Sequence, residues 1–251
     1  MVFKNAYDSH SHSLEVLNLI YGYDSFLDSL TTIADMGCGE GLDSEWWATL
    51  HTRDDPPEPR NYKVYAVDQD ISRLDPDVLK DNPNIIPVEG NFERYGTIPV
   101  KADLIWSHDS LQLATDPYEC LKAWKQTLNV NGMLMLAVPQ MTYAYNGRIV
   151  IESHHKQRFG YNILNLIYML AINGFDCNDA YFYRKDNSPW LYAAVYAMDM
   201  EPLSPDTSWY DLADAGLIND SLVKRVNKYG YARLDDLVVC WLDKQFYKIT
   251  N

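Results

Sequence analysis

The chain has 251 residues, 47% of them hydrophobic and 22% charged, a composition that allows a sizeable buried core and excludes a disordered or fibrous protein. Twenty-one basic against 35 acidic residues leave a net charge of −14, which argues against a nucleic-acid partner and against an anionic membrane surface. The excess is uneven, with 7 Lys/Arg and 18 Asp/Glu in residues 1–100, and its ordinary use is solubility.

In chain order, the opening residues after Met1 contain no apolar h-region, so no signal peptide is expected. From Ser9 to Leu30, apolar residues at three- and four-residue steps (Leu14, Leu17, Ile20, Tyr21, then Phe26, Leu27, Leu30) predict an amphipathic helix interrupted at Tyr21-Gly22-Tyr23. Thr31–Met36 reads as a strand running into Gly37-Cys38-Gly39-Glu40-Gly41, followed by a helix through Trp46, Trp47 and Leu50 and a Pro-rich loop over 53–60. Further strands are predicted at Lys63–Val67 (closing at Asp68), Asn84–Val88 and Ala102–Trp106. A helix over Pro117–Leu128 comes next, then an Asn131-Gly132 turn and the most apolar strand, Met133–Val138, stopped by Pro139. Asn162–Asn173 reads as a helix with Gly174 at its C-terminal cap, and late strands fit Ala180–Arg184 and Leu191–Met198. This alternation predicts an α/β fold, a mostly parallel sheet with helices on both faces.

Residues 203–251 break the rhythm. Trp209–Ala215, Asn219–Tyr229 and a stripe of Leu234, Leu237, Val238, Trp241 and Leu242 predict three short helices. The expected organisation is one sheet domain over 1–202, with an N-terminal helical lid, and a helical extension over 203–251. No run of about 18 apolar residues predicts a membrane span. Cys38, Cys120, Cys177 and Cys240 stand far apart with no Cys-x-x-Cys pair. That argues against a zinc site and a disulfide framework, and makes the cytoplasm the default compartment.

The chemistry-bearing element is the glycine loop. Three glycines between a strand and a helix let the backbone turn sharply and approach a ligand at a helix N-terminus. A nicotinamide loop needs G-x-G-x-x-G, but counting from Gly37 the last glycine would fall on Leu42. The run Asp35, Gly37, Gly39, Gly41 resembles instead motif I of the class I S-adenosylmethionine-dependent methyltransferases, which reads D-x-G-x-G-x-G. Three more marks follow in order. Asp68 closes the second strand, where a carboxylate can accept both hydroxyls of a ribose. Glu89-Gly90-Asn91-Phe92 follows the third, with Asn91 able to accept from an adenine amino group. The stretch from Asp103 to Pro139 is similar to the branch that methylates small molecules, although Leu113 stands where that branch often has His and Asn129-Val130-Asn131-Gly132 replaces Lys-Pro-Gly-Gly.

The resemblance covers residues from about 30 to 200. It implies a Rossmann-like seven-stranded sheet with its last strand antiparallel. The donor would be S-adenosylmethionine, leaving as S-adenosylhomocysteine and held by Asp35, Gly37, Cys38, Gly39, Gly41, Asp68, Gln69, Asn91, Phe92 and Ser107. It also implies transfer to a small-molecule acceptor by in-line displacement. The alternatives are a non-catalytic protein that binds the donor in a regulatory role, and a methyltransferase acting on a protein. Ser107-His108-Asp109-Ser110 stands where enzymes methylating the amino groups of bases carry Asn/Asp-Pro-Pro-Tyr/Phe.

Acceptor residues are expected after the fourth and fifth strands. His108, His154 and His155 are candidate bases. The block 141–165, the one cationic patch of an acidic chain, offers Tyr143, Tyr145, Arg148 and Arg158, with Arg148 or Arg158 clamping an anionic group on the acceptor. The aromatic residues of the tail (Trp209, Tyr210, Trp241, Phe246, Tyr247) would pack on the sheet, cover the acceptor or form a homodimer face.

Overall fold

The computed structural model describes residues 16–17, 23–52, 54, 56–140, 142–145, 148–151, 158–184 and 190–218. Helix α1 (Tyr23–Ser29) leads into β1 (Thr32–Met36), α2 (Leu42–Ala48), β2 (Lys63–Asp68), α3 (Pro76–Asp81), β3 (Ile85–Glu89) and β4 (Ala102–His108). After these come α4 (Pro117–Thr127), β5 (Leu128–Pro139), a hairpin of β6 (Thr142–Tyr145) and β7 (Arg148–Ile151), α5 (Ile163–Ala171), β8 (Asp176–Arg184), β9 (Trp190–Ala197) and α6 (Trp209–Asp214).

Seven strands form one sheet in the order β3-β2-β1-β4-β5-β9-β8. Its central strands are near-continuous apolar runs, as burial on both faces demands. β9 pairs antiparallel with both β5 and β8, so the last strand runs against the other six. The order reverses between β1 and β4, and at such a switch point the loops leave the sheet in opposite directions and open a crevice at the strands' carboxyl ends. The register sets the neighbours there: Met36 lies opposite Val67 and Asp35 opposite Trp106.

Alternation along the strands divides the core. Ile105, Leu134 and Leu136 face Leu121 and Trp124 of α4 and Leu164 and Ile167 of α5. Leu104, Trp106, Met133 and Met135 face Leu27, Trp47 and Val78. Helix starts are set by local chemistry. The Asp116 carboxylate accepts from the Tyr118 and Glu119 N–H groups with Pro117 behind it, and Asn162 forms a reciprocal capping box with Asn165.

One expectation needs correction, and two elements were not expected. Asn131-Gly132 is not a turn launching a strand but lies inside β5, which starts at Leu128; Asn131 there has φ 65°. A Cβ on Gly132 would sit 2.9 Å from the Asn129 carbonyl oxygen and 3.1 Å from that of Asp103, so this glycine serves a close strand approach opposite the irregularity between Ala102 and Leu104. Residues 142–145 and 148–151, for which no element was expected, form the β6–β7 hairpin. Helix α3 was not expected, because six residues are too few to display a helical period.

In the tail, a Ser208–Asp211 capping box starts α6, and Leu212, Leu217 and Ile218 join the core beside α5. The helices predicted beyond residue 218 lie outside the described residues, as do residues 1–15 at the start of the expected N-terminal lid. Among the described residues, no helix is long and apolar enough to cross a membrane.

Candidate functional site

The site begins where β1 and β2 end. The Gly37 and Cys38 N–H groups both donate to the Val67 carbonyl, at 2.8 and 3.0 Å, tying the loop to the neighbouring strand. Gly37 has φ 86°, and a Cβ there would lie 2.1 Å from Ser110 Oγ and 2.7 Å from Ser110 Cβ. Gly39 serves an opposite purpose. With φ 54°, its missing side chain faces open space bounded only by Arg73 Nη2 at 3.6 Å, which leaves the backbone accessible to a ligand. Its N–H donates to Asp68 Oδ2 at 3.0 Å, while Asp68 Oδ1 accepts from the Asp70 N–H, also at 3.0 Å. The carboxylate is thus fixed by two backbone donors and keeps lone pairs for ligand hydroxyls.

Behind the loop lies a buried polar layer. Asp35 is 2% exposed and accepts from the Ser44 hydroxyl at 2.6 Å. Burial, with Asp43 adding like charge, pushes its carboxyl up to about 8. Asp43, on the first turn of α2, lies with Oδ2 3.1 Å from His108 Nδ1 at the end of β4. The imidazole packs edge-on to Trp190, ring centroids 4.9 Å apart.

These elements enclose a crevice of about 1080 Å3 at the carboxyl ends of β1, β2 and β4. Of the residues expected to hold the donor, Gly37, Gly39, Asp68, Gln69, Asn91 and Phe92 line it. Asn91 Oδ1 accepts from the Glu93 N–H at 2.8 Å, and the Phe92 carbonyl anchors the Trp124 indole at 2.7 Å, so the β3 loop is held from both sides. Asp35, Cys38, Gly41 and Ser107 stand elsewhere. Asp35 supports the loop from beneath, the buried Cys38 thiol is pushed up by desolvation and by Asp35 and Asp68, and Gly41 is the N-cap of α2. Ser107 is wholly buried, alternating with His108 along β4.

On the acceptor side, the fold brings His108 and Arg158 into the same crevice. Tyr143, Tyr145 and Arg148 lie on the β6–β7 hairpin, whose backbone alone is described. His154 and His155 lie outside the described residues. Arg73, Glu93, Asp109, Leu113 and Thr115 also line the crevice, and Asp43 backs it; sequence reasoning missed all six. Asp109 had a local signal, standing next to His108. Asp43 and Arg73 had none, since their importance comes from contacts across the fold.

The donor set suits S-adenosylmethionine: a carboxylate fixed at the end of β2 for a ribose, a glycine whose absent side chain leaves room beside it, and an aromatic residue with an amide after β3. The methyltransferase domain family matches residues 34–136. No curated protein matches the sequence. Among solved structures, a putative S-adenosylmethionine-dependent methyltransferase from Listeria monocytogenes is 15% identical with a TM-score of 0.53, the match covering 74% of this chain and 97% of that one. The DszA carbon methyltransferase is 14% identical (TM-score 0.55; 78% of this chain, 56% of that one) and the CurJ carbon methyltransferase 12% (0.54; 76% and 53%). This chain therefore spans only about half the length of the two carbon methyltransferases. Residues 34–136 thus match the methyltransferase domain family, and the sheet order and the crevice at its switch point give the chain the Rossmann-like fold of the class I S-adenosylmethionine-dependent methyltransferases to which it is similar.

Proposed function

We propose that the protein methylates a small molecule bound in the same crevice as the donor, and that Arg158 receives an anionic group of that acceptor. The observation that carries this is the extent of the crevice. It runs from Gly39 and Asp68 to His108 and Arg158 and holds about 1080 Å3, more than the roughly 300–1,000 Å3 of a single small-ligand pocket. When bound, S-adenosylmethionine supplies a methyl carbon on a sulfonium, open to in-line displacement without a covalent protein intermediate.

The chain's own residues then have three tasks. The Gly37–Gly39 backbone, Asp68, Gln69, Asn91 and Phe92 bind and orient the donor. Asp68, Glu93 and Asp109 outnumber Arg73 and Arg158 around the crevice, a balance that favours a cation. His108, held through Nδ1 by Asp43 at 3.1 Å, is the base for an acceptor that must lose a proton; a positioned base contributes about 10²–10⁴-fold. His154, His155, Tyr143, Tyr145 and Arg148 belong to the segment that follows β5 in the chain, and in this reading they serve the acceptor. In this reading residues 1–202 form the catalytic domain and 203–251 its helical extension.

The test is transfer of label from S-adenosyl-[methyl-³H]methionine to a panel of small carboxylates and phosphates bearing hydroxyl, amine or acidic C–H groups. Calorimetry with S-adenosylhomocysteine runs beside it. Binding of the product together with labelled acceptor is expected, and His108→Ala should slow transfer about 10²–10⁴-fold. Donor binding with no transfer across the panel would instead identify a non-catalytic binding protein. Full turnover by His108→Ala would remove that residue as the base.

A further inference from the structure

The short 3-10 turn Leu111–Leu113, between β4 and α4, organises the crevice wall away from Asp68. The Gln112 side-chain amide donates to Asp109 Oδ1 at 2.5 Å. The Gln112 carbonyl accepts from the Arg158 and Phe159 N–H groups at 3.0 and 3.2 Å, and the Leu113 carbonyl accepts from the Arg158 guanidinium. One turn therefore fixes a carboxylate and a guanidinium that both line the crevice beside His108.

The fold gives up stability to do this. Asp109 holds a left-handed backbone, φ 53°, a conformation disfavoured for a side-chain-bearing residue and concentrated at functional sites. Gln112 is 3% exposed, and its Oε1 is buried with no partner among the described residues. Turning the amide over would satisfy nothing, because oxygen would then face the Asp109 carboxylate. Its orientation is set by holding Asp109, and an orphaned buried carbonyl is kept for that purpose. Arg158, with five N–H donors in a planar fork, spends one on Leu113 and suits a carboxylate with the others.

We propose that this turn builds an acceptor subsite for a small zwitterion, Asp109 receiving an ammonium or amine and Arg158 a carboxylate, so that the acceptor is an amino acid or a compact compound carrying both groups. The inference rests on the reading that a small acceptor shares the crevice with the donor. The donor's marks, Gly39 and Asp68, lie at the ends of β1 and β2. Asp109 follows β4 on the other side of β1, and Arg158 enters after β5, which places the pair on the acceptor's side.

The experiment is calorimetry on the full chain saturated with S-adenosylhomocysteine, titrated with the common α-amino acids, β-alanine and 4-aminobutyrate. Each is compared with its deamino acid and its carboxamide. At least one amino acid should bind, and removing either charged group should weaken it about tenfold or more, as should Asp109→Asn and Arg158→Gln. Asn can still accept from Gln112 and tolerates the left-handed backbone, which keeps the fold intact. Gln112→Met should weaken the amino acid while leaving the deamino acid unchanged, a selectivity change that loss of structure would not produce. S-adenosylhomocysteine affinity should stay constant throughout. Binding of no amino acid by the loaded protein would overturn the proposal. So would equal affinity for the deamino acid with Asp109→Asn silent. A fall in S-adenosylhomocysteine affinity in Asp109→Asn and Arg158→Gln would overturn it too, assigning the pair to the donor's own amino-acid end. Failure of the wild-type protein to bind S-adenosylhomocysteine would be a different result, refuting the crevice as the donor site.

Discussion

Replacing Gly37 by Ala tests how the donor loop is held. Two costs follow from the geometry. A residue with a side chain at φ 86° pays about 1–2 kcal/mol for the left-handed backbone. The added Cβ would stand 2.1 Å from Ser110 Oγ and 2.7 Å from Ser110 Cβ, and since Cβ does not move with the side-chain torsion, the backbone must shift. Such overpacking costs about 1–3 kcal/mol, so the total is about 2–5 kcal/mol. The shift also pulls at the Gly37 and Cys38 N–H bonds to Val67, and donor affinity should fall about tenfold or more. Ser110→Gly removes both clashing atoms. The double variant should therefore recover the steric share and leave the roughly 1–2 kcal/mol backbone share. Urea unfolding of the four proteins in a double-mutant cycle, with calorimetry against S-adenosylhomocysteine, gives the coupling directly. Stability of Gly37→Ala equal to the wild type, or no rescue by Ser110→Gly, would refute the reasoning.

Two further predictions concern carboxyls, buried Asp35 and half-buried Asp103. Folded Asp35 keeps its proton up to about 8, whereas the unfolded chain releases it near 3.8. Between those values the folded state binds the extra proton, so stability falls as pH rises and levels off above about 8. Asp35→Asn should flatten that decline in urea unfolding at about pH 5 and about pH 8.5, and an unchanged slope would contradict it. Asp103 behaves in the opposite sense. Burial alone would raise its carboxyl, but donors on Thr31, Thr32 and Asn129 hold it below the ordinary value. Asp103→Ala removes the acceptor of the two N–H groups that start β1, bonded at 2.9 and 3.0 Å, and with water able to replace part of it should cost about 1–2 kcal/mol at neutral pH. A depressed folded value means that this contribution is present above about 4 and lost below it. Denaturation at about pH 7 and about pH 3 should show the gap between variant and wild type shrinking, and a constant gap would argue against it.

The parts of the site that were legible in the sequence are those set by local backbone demands. A strand handing over to a helix through closely spaced glycines has few uses, and a carboxylate ending the next strand narrows them further. Gly37, Gly39, Asp68, Gln69, Asn91 and Phe92 accordingly reach the crevice. Position along a motif does not reveal which way a side chain faces. Ser107 and His108 are neighbours, yet strand alternation sends one into the core and the other to the crevice wall. Long-range pairs leave still less trace. Asp43 meets His108 across 65 residues, and Arg73 owes its place to a 3-10 turn after β2. The β6–β7 strands are four residues each, too short for a two-residue alternation to stand out from a loop.

The antiparallel strand β9 has a consequence for how the molecule comes into being. It fills the gap between β5 and β8, so both of those strands carry bare hydrogen-bonding edges until residues 190–197 have left the ribosome. Trp190, which packs against His108, arrives with that same strand. The imidazole's aromatic wall and the closure of the sheet are therefore one late event, and a nascent chain stopped short of it would present two sticky edges to its neighbours.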